Sequence, residues 1–249
     1  MSPDELKDFL DLKAEFYEQA KFVEDDPIQI PHRFSKKEDI EISALLVSTI
    51  AWGNRKSIIK SGENLLKIMG NQPHEFVMNY TDSDWKFVHR TFNSVDLDFF
   101  FRSLQNIYQH HHGLEQAFSA SNGADLKANI LKFRNLFFQV PFENRSAKHV
   151  SNPESGSASK RLVMFLRWMV RSSKKGVDFG IWKSIPTSAL LIPLDVHTGN
   201  VALKLGLIER NKNDWKTNIA LIEKLRKFDS VDPAKYDFAL FGLGVFEKF

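Results

Sequence analysis

Lys160 and Asp195 are the two residues whose type and setting point most directly to chemistry. Lys160 ends the polar run Pro153-Glu154-Ser155-Gly156-Ser157-Ala158-Ser159-Lys160-Arg161, at the point where an apolar helical pattern begins. Asp195 sits in Leu191-Ile192-Pro193-Leu194-Asp195-Val196-His197, where an apolar segment turns into a second helix carrying Val201, Leu203 and Leu205. An amine and a carboxylate at two helix starts form a pair if the fold brings them together, and an aspartate so placed can cap its helix and also lie against a reaction centre. A lysine attacks only as the neutral amine, a form favoured by a neighbouring cation, a helix N-terminus and partial desolvation. A carboxylate beside it stabilises positive charge developing at the attacked carbon and helps to move protons. The plainer roles are a solvated lysine in a first helical turn and an aspartate that caps its helix.

The loop before Lys160 has a chemistry of its own. A turn of small residues ahead of a helix presents free backbone N–H groups and the positive end of the helix dipole, which suit a phosphate oxygen. Gly156, Ser157 and Ser159 are therefore candidate nucleic-acid contacts, with Arg161 and Lys148 as flanking charge. From Arg145 to Lys175 eight Lys and Arg residues face the single Glu154, a net of +7 in a chain whose total is +3. Met1 to Asp26 carries nine acids against three lysines, a net of −6. A phosphate backbone would meet the first segment and avoid the second; solvated helix faces are the plainer reading of both. His197, two residues past Asp195, is a candidate for orienting the aspartate or contacting the nucleic-acid backbone. The run His110-His111-His112 is not read as a metal site, because consecutive helical residues point in different directions and no carboxylate stands at ligand spacing.

The elements that must position these residues are helical. Ile42, Leu45, Leu46, Thr49 and Ile50 recur at helical spacing, as do Leu162, Phe165, Leu166 and Met169. Further helices fit Leu6 to Val23, Ser57 to Met69, Leu97 to His111, Ala124 to Phe138, Trp215 to Phe228 and Pro233 to Glu247. Strand alternation is absent, and 73–93 and 177–191 read as single turns and loops. The fold class expected is all-α. With 249 residues, 43% of them hydrophobic, the chain suffices for one compact body. It has no cysteine, which excludes disulfides, iron–sulfur clusters and thiolate zinc sites. A charged start and the lack of any run of roughly twenty apolar residues lead us to expect a soluble, cytoplasmic monomer with no membrane partner.

A Gly-containing hairpin, a lysine four residues after the Gly, an apolar helix and then Pro-Leu-Asp-Val-His before another helix resemble the helix-hairpin-helix DNA glycosylases, the superfamily of endonuclease III and 8-oxoguanine glycosylase. The chain looks like a bacterial branch of that superfamily without an assigned activity. The resemblance runs from about Ile40 to the end. It takes in Ser43-Ala44-Leu45-Leu46-Val47-Ser48-Thr49-Ile50-Ala51-Trp52-Gly53-Asn54-Arg55, similar to the family's early helix and following turn, and Tyr236-Asp237-Phe238-Ala239-Leu240-Phe241-Gly242-Leu243-Gly244, in the place of its closing helix. It implies two helical lobes with a cleft between them, here about 1–35 with 195–249, and about 36–194 containing the hairpin 150–172.

By the same resemblance Lys160 is the nucleophile that attacks the sugar of a flipped nucleotide, and Asp195 is the assisting carboxylate. Trp52, Asn54 and Arg55 are nominated to insert beside that nucleotide. A flipped base needs a flat apolar pocket, for which Trp52, Trp168 and Phe241 are candidates. The implied activity is a base-excision DNA glycosylase and AP lyase acting on double-stranded DNA near the nucleoid. It requires no cofactor and has room for a monovalent cation at the hairpin. The chain departs from the pattern in three respects. Gly156-Ser157-Ala158 replaces the usual Gly-x-Gly, the spacing from Lys160 to Asp195 is nearly twice the usual one, and the cluster-binding cysteines are missing. The longer link makes Lys174, Lys175 and Lys183 rival nucleophiles. Two other readings stay open, a helix-hairpin-helix module that binds DNA or RNA without cutting it, and a helical interaction scaffold.

Overall fold

The computed structural model describes residues 1–82, 84–120 and 123–249, and over them the chain is mostly helical. In order the elements are α1 (Pro3–Tyr17), α2 (Lys37–Thr49), α3 (Arg55–Ile68), α4 (Pro73–Met78), β1 (Val88–His89), β2 (Phe92–Asn93), α5 (Ser94–His110), α6 (Leu114–Phe118), α7 (Leu126–Phe137), α8 (Lys160–Val170), α9 (Val196–Lys204), α10 (Trp215–Phe228) and α11 (Tyr236–Val245). Short 3-10 turns fill several of the connections. Ser2, Asn54, Asn93, Asp125, Asp195 and Asp214 each accept a backbone N–H of the helix they precede. These bonds satisfy donors that a helix start leaves without an internal partner.

Two expected elements end early. The helix expected from Leu6 to Val23 stops at Tyr17, where Glu18 turns its buried carboxylate onto Arg171. The one expected from Pro233 to Glu247 divides into a 3-10 turn (Pro233–Lys235) and α11. Between Phe87 and Ser94 the chain forms an antiparallel pair of two-residue strands, too short to leave an alternation in the sequence.

The chain divides into two compact units, Val23–Ser151 and Met1–Phe22 with Asn152–Phe249. The division differs from the one the resemblance implied, because residues 152–194, Lys160 and its hairpin included, belong with both termini. The physical reason is α8, whose buried arginines pair with acids on the chain's first and last segments.

In the unit Val23–Ser151 the core is strongly aromatic. Phe99, Phe100 and Phe101 of α5 are buried, with Phe133 and Phe137 of α7 and Phe118 of α6 beside them. Each buried phenylalanine contributes about 1.5–3 kcal/mol by leaving water. In α2 every side chain from Ile40 to Thr49 is buried, including Glu41, which accepts the Tyr108 hydroxyl at 2.7 Å.

In the other unit α1 and α9 pack on α11. Gly242 permits the closest approach, since a Cβ there would lie 2.2 Å from the Tyr17 ring. Except at Asp237, α11 has an uncharged sequence and is buried over most of its length. Such a helix belongs in the interior, and its single acid must find a partner there. Among the described residues no helix is long and apolar enough to cross a membrane.

The start of α10 yields a stability prediction. Asp214 Oδ1 accepts the Thr217 amide at 2.8 Å, and Arg210 donates to Oδ2 at 3.0 Å. The Thr217 amide, with the Thr217 hydroxyl and Arg210 and against burial, pulls the Asp214 carboxyl down to about 2 from its ordinary 3.8. Asp214→Ala is expected to cost about 1 kcal/mol in urea denaturation at neutral pH. Because the folded value is the lower one, the benefit is present above about pH 4 and fades as pH falls toward 2, so the gap between wild type and variant should close there.

Candidate active site

Lys160 is the first residue of α8, and Asp195 is the N-cap of α9. The fold brings them into contact, with Lys160 Nζ donating to Asp195 Oδ2 at 2.7 Å. Asp195 divides its two oxygens between two tasks. Oδ1 accepts the amides of His197 at 2.9 Å and Thr198 at 3.0 Å, while the Thr198 hydroxyl receives the Asp195 amide at 2.9 Å. One oxygen is thereby fixed to a helix N-terminus and the other faces the amine. The Lys160 side chain is 35% exposed and that of Asp195 16%, so the pair is reachable from solvent without being freely hydrated. Burial pushes the Asp195 carboxyl up, but the charge and hydrogen bond of Lys160 and the Thr198 amide outweigh it and hold the group below its ordinary range. At neutral pH it is a carboxylate, suited to stabilising a cation rather than to giving up a proton.

The hairpin that delivers Lys160 is built from backbone contacts. Gly156 has a left-handed φ of 86°, its amide donates to Pro153 at 3.1 Å, and its carbonyl accepts the Trp215 amide at 2.9 Å. Ser157 pairs with Asp214 in an isolated antiparallel bridge, and its hydroxyl accepts the Ser159 amide at 3.1 Å. Ser159 is also left-handed, at φ 49°, and supplies no side-chain cap to α8. The start of α8 therefore contrasts with the capped starts of α9 and α10.

Behind the pair α8 carries a charged face. Arg167 and Arg171 follow Lys160 by seven and eleven residues, which on an α-helix places all three on one side. Both arginines are buried. Arg167 pairs with Asp237 of α11 and lies 3.4 Å from Asp178. Arg171 makes a two-pronged bond to Asp232 at 3.0 and 2.8 Å and meets Asp178 at 2.7 Å and Glu18 at 2.8 Å. The Phe238 ring lies 4.5 Å from the Arg167 guanidinium and 5.3 Å from that of Arg171, a cation–π arrangement. Burial pushes the Arg171 guanidinium down, but the carboxylates of Asp232, Asp178 and Glu18 more than offset it and keep it charged.

This network corrects the reading of 145–175 as one continuous basic footprint. Arg167 and Arg171 are structural ions, and part of the acidic N-terminal segment is their counter-charge. Arg145 pairs with Asp96 at 3.0 Å, and Lys175 pairs with Glu15. Arg161 is half-buried, with burial pushing its guanidinium down to about 10. Lys148 and Lys174 remain exposed.

The other expected residues fall into different settings. Asn54 caps α3 by accepting the Ser57 amide at 3.3 Å, and Arg55 opens that helix. Trp52 is half-buried, stacked 6.0 Å from His149 and edge-on to His89 at 5.2 Å. Trp168 is a core residue, 1% exposed, which leaves no face open to a base and corrects its nomination as a pocket wall. Phe241 is half-buried against Phe22 and Phe246. His197 is exposed, and its amide is what holds Asp195. Of the rival nucleophiles, Lys183 donates to the Gly180 carbonyl at 2.6 Å, and Lys174 and Lys175 belong to a short exposed turn. No group of three or more potential metal ligands occurs among the described residues. Reading the sequence did not single out Asp237; the signal was one acid in an otherwise uncharged helix.

The hairpin gives opposite expectations for two substitutions. No atom lies within 4 Å of a Cβ built on Gly156, so Gly156→Ala is expected to lose about 1 kcal/mol through its left-handed backbone alone. Ser159→Gly relieves the same conformation and is expected to be neutral or stabilising, within about 1 kcal/mol. Thermal denaturation of both variants checks the pair.

A family model described as a protein of unknown function (DUF2400) matches residues 26–246. No curated protein and no solved structure matches the chain. The match takes in α2 to α11, the hairpin, Lys160, Asp195 and the buried arginines, and the chain belongs to the DUF2400 family of proteins of unknown function.

Proposed function

We propose that the protein is a lysine-dependent DNA glycosylase and AP lyase of the helix-hairpin-helix kind, with Lys160 as nucleophile and Asp195 as its assisting carboxylate. The observation that carries the reading is the 2.7 Å contact between an amine at one helix start and a carboxylate anchored by another, across a sequence separation of thirty-five. It is supported by the uncapped start of α8 and by the exposed, left-handed Gly156 ahead of it; Ser159, 1% exposed, is a buried part of the hairpin and not a phosphate contact. The chemistry requires a deoxyribose, and double-stranded DNA is the partner of this reading.

In the reaction Lys160 first gives a proton to solvent, and the free amine attacks C1′ of a flipped nucleotide as the bond to the base breaks. Asp195 stays ionised and stabilises the cationic character at C1′. The departing base takes up a proton, and ring opening of the aminal gives a Schiff base between Lys160 and the sugar. Loss of a C2′ proton then expels the 3′ phosphate, and water releases the lysine. Asp195 has one oxygen held by two amides, which orients the other toward the Lys160 amine at no further cost.

The silent-binder reading draws on the same ion pair, since a salt bridge can hold two helix starts together without any reaction. Borohydride reduction during incubation with duplex DNA containing an abasic site separates the two. Wild type is expected to give a covalent protein–DNA band, Lys160→Ala none, and Asp195→Asn a rate lower by about 10²-fold or more. Wild type that is folded and binds DNA but gives no band would overturn the glycosylase and lyase reading.

A further inference from the structure

We propose that Asp237 is the positioning residue of the Lys160–Asp195 site, holding α8 and α9 in place from the first turn of α11. The inference rests on the function proposed above and adds a second acid to its machinery. Asp237 is 4% exposed in a helix with no other charged residue, where a carboxylate without a partner would be strongly unfavourable. Its partner is Arg167, on the same face of α8 as Lys160. α11 also packs on the helix that Asp195 caps, with the position of a Gly244 Cβ only 3.2 Å from the His197 carbonyl. One helix therefore bears on both elements that carry the reacting groups.

Asp237 is electrostatically linked to the pair as well. Burial pushes its carboxyl up to about 6, Arg167 and Lys160 oppose that rise, and the negative charge of Asp195 adds to it. Of the other titratable groups on the elements packed against α11, Lys7 pairs with Asp11, Glu15 with Lys175, and Lys204 lies over the Phe249 ring. Tyr17 and Lys13 of α1 bind Glu247 beyond the far end of α11, and Lys235 of the preceding turn binds Asp11 and Asp229. His197 lies beside Gly244. As pH rises through about 6, Asp237 gains a charge whose field reaches Asp195. Its folded value lies above the ordinary 3.8, so its ionisation lowers stability as pH rises between those values.

The test is a carbon-13 carboxyl NMR titration of Asp195 in the full chain, without DNA. The wild-type resonance is expected to show a second inflection near pH 6, retained in Asp237→Glu and lost in Asp237→Asn. In borohydride trapping on abasic DNA, Asp237→Asn is expected to bind the duplex as wild type does but to react more slowly by on the order of 10²-fold. A single inflection for Asp195 in wild type, or an Asp237→Asn protein that traps at the wild-type rate over the whole pH range, would overturn the proposal. If Asp237→Asn does not fold, the wild-type titration decides alone. A coupled titration together with no Schiff base from wild type at any pH would refute the proposed activity and leave the electrostatic link intact.

Discussion

Two arginines on one side of α8 are buried among four carboxylates, and that much charge is tolerated in an interior only while every partner stays in place. Removing one partner of a buried pair typically costs 3–5 kcal/mol, because the charge left behind can neither reach water nor find another counter-ion. Arg167 and Arg171 thus bind α8 to Glu18 after α1, to Asp178 in the long loop, to Asp232 and to Asp237 on α11. Lys160 is on the same helix one further step along that face, where burial gives way to partial exposure. The position of its amine is a consequence of this fixed frame.

The same frame accounts for the long connection to Asp195. Residues between α8 and α9 need not be short or straight if their middle is held, and Asp178 holds it by meeting both arginines. Asn218 of α10 donates to the Ile192 carbonyl at 2.7 Å and supports the buried apolar segment that leads into Asp195. A sequence separation of thirty-five is therefore compatible with a close Lys160–Asp195 contact. The capping bonds of Asp195 complete the arrangement, because a side chain tied by one oxygen loses less freedom when the other engages a cation.

Much of this was legible in the sequence, for reasons that can be traced to residues. α10 was readable from Trp215 to Phe228 because its apolar face is regular and Asp214 marks its start. Lys160 and Asp195 stood out because each sits at the change from a loop or extended run to an amphipathic helix. What the sequence did not convey was burial of charge. Arg167 and Arg171 look like surface cations in a basic run, and only the fold reveals that the acids opposing them come from residues 18, 178, 232 and 237. Trp168 misled in the opposite sense, since an aromatic suits a pocket and a core equally well. The end of α1 at Tyr17 was hidden because no Gly or Pro stops it; a long-range ion pair at Glu18 does.

The account turns on which amine reacts. Mass spectrometry of the digested, borohydride-reduced adduct with abasic DNA identifies it directly. The account predicts a sugar remnant on the peptide that contains Lys160 and on no other. A remnant on Lys174, Lys175 or Lys183 would contradict it, as would a wild-type protein that binds the duplex and yields no modified lysine at all.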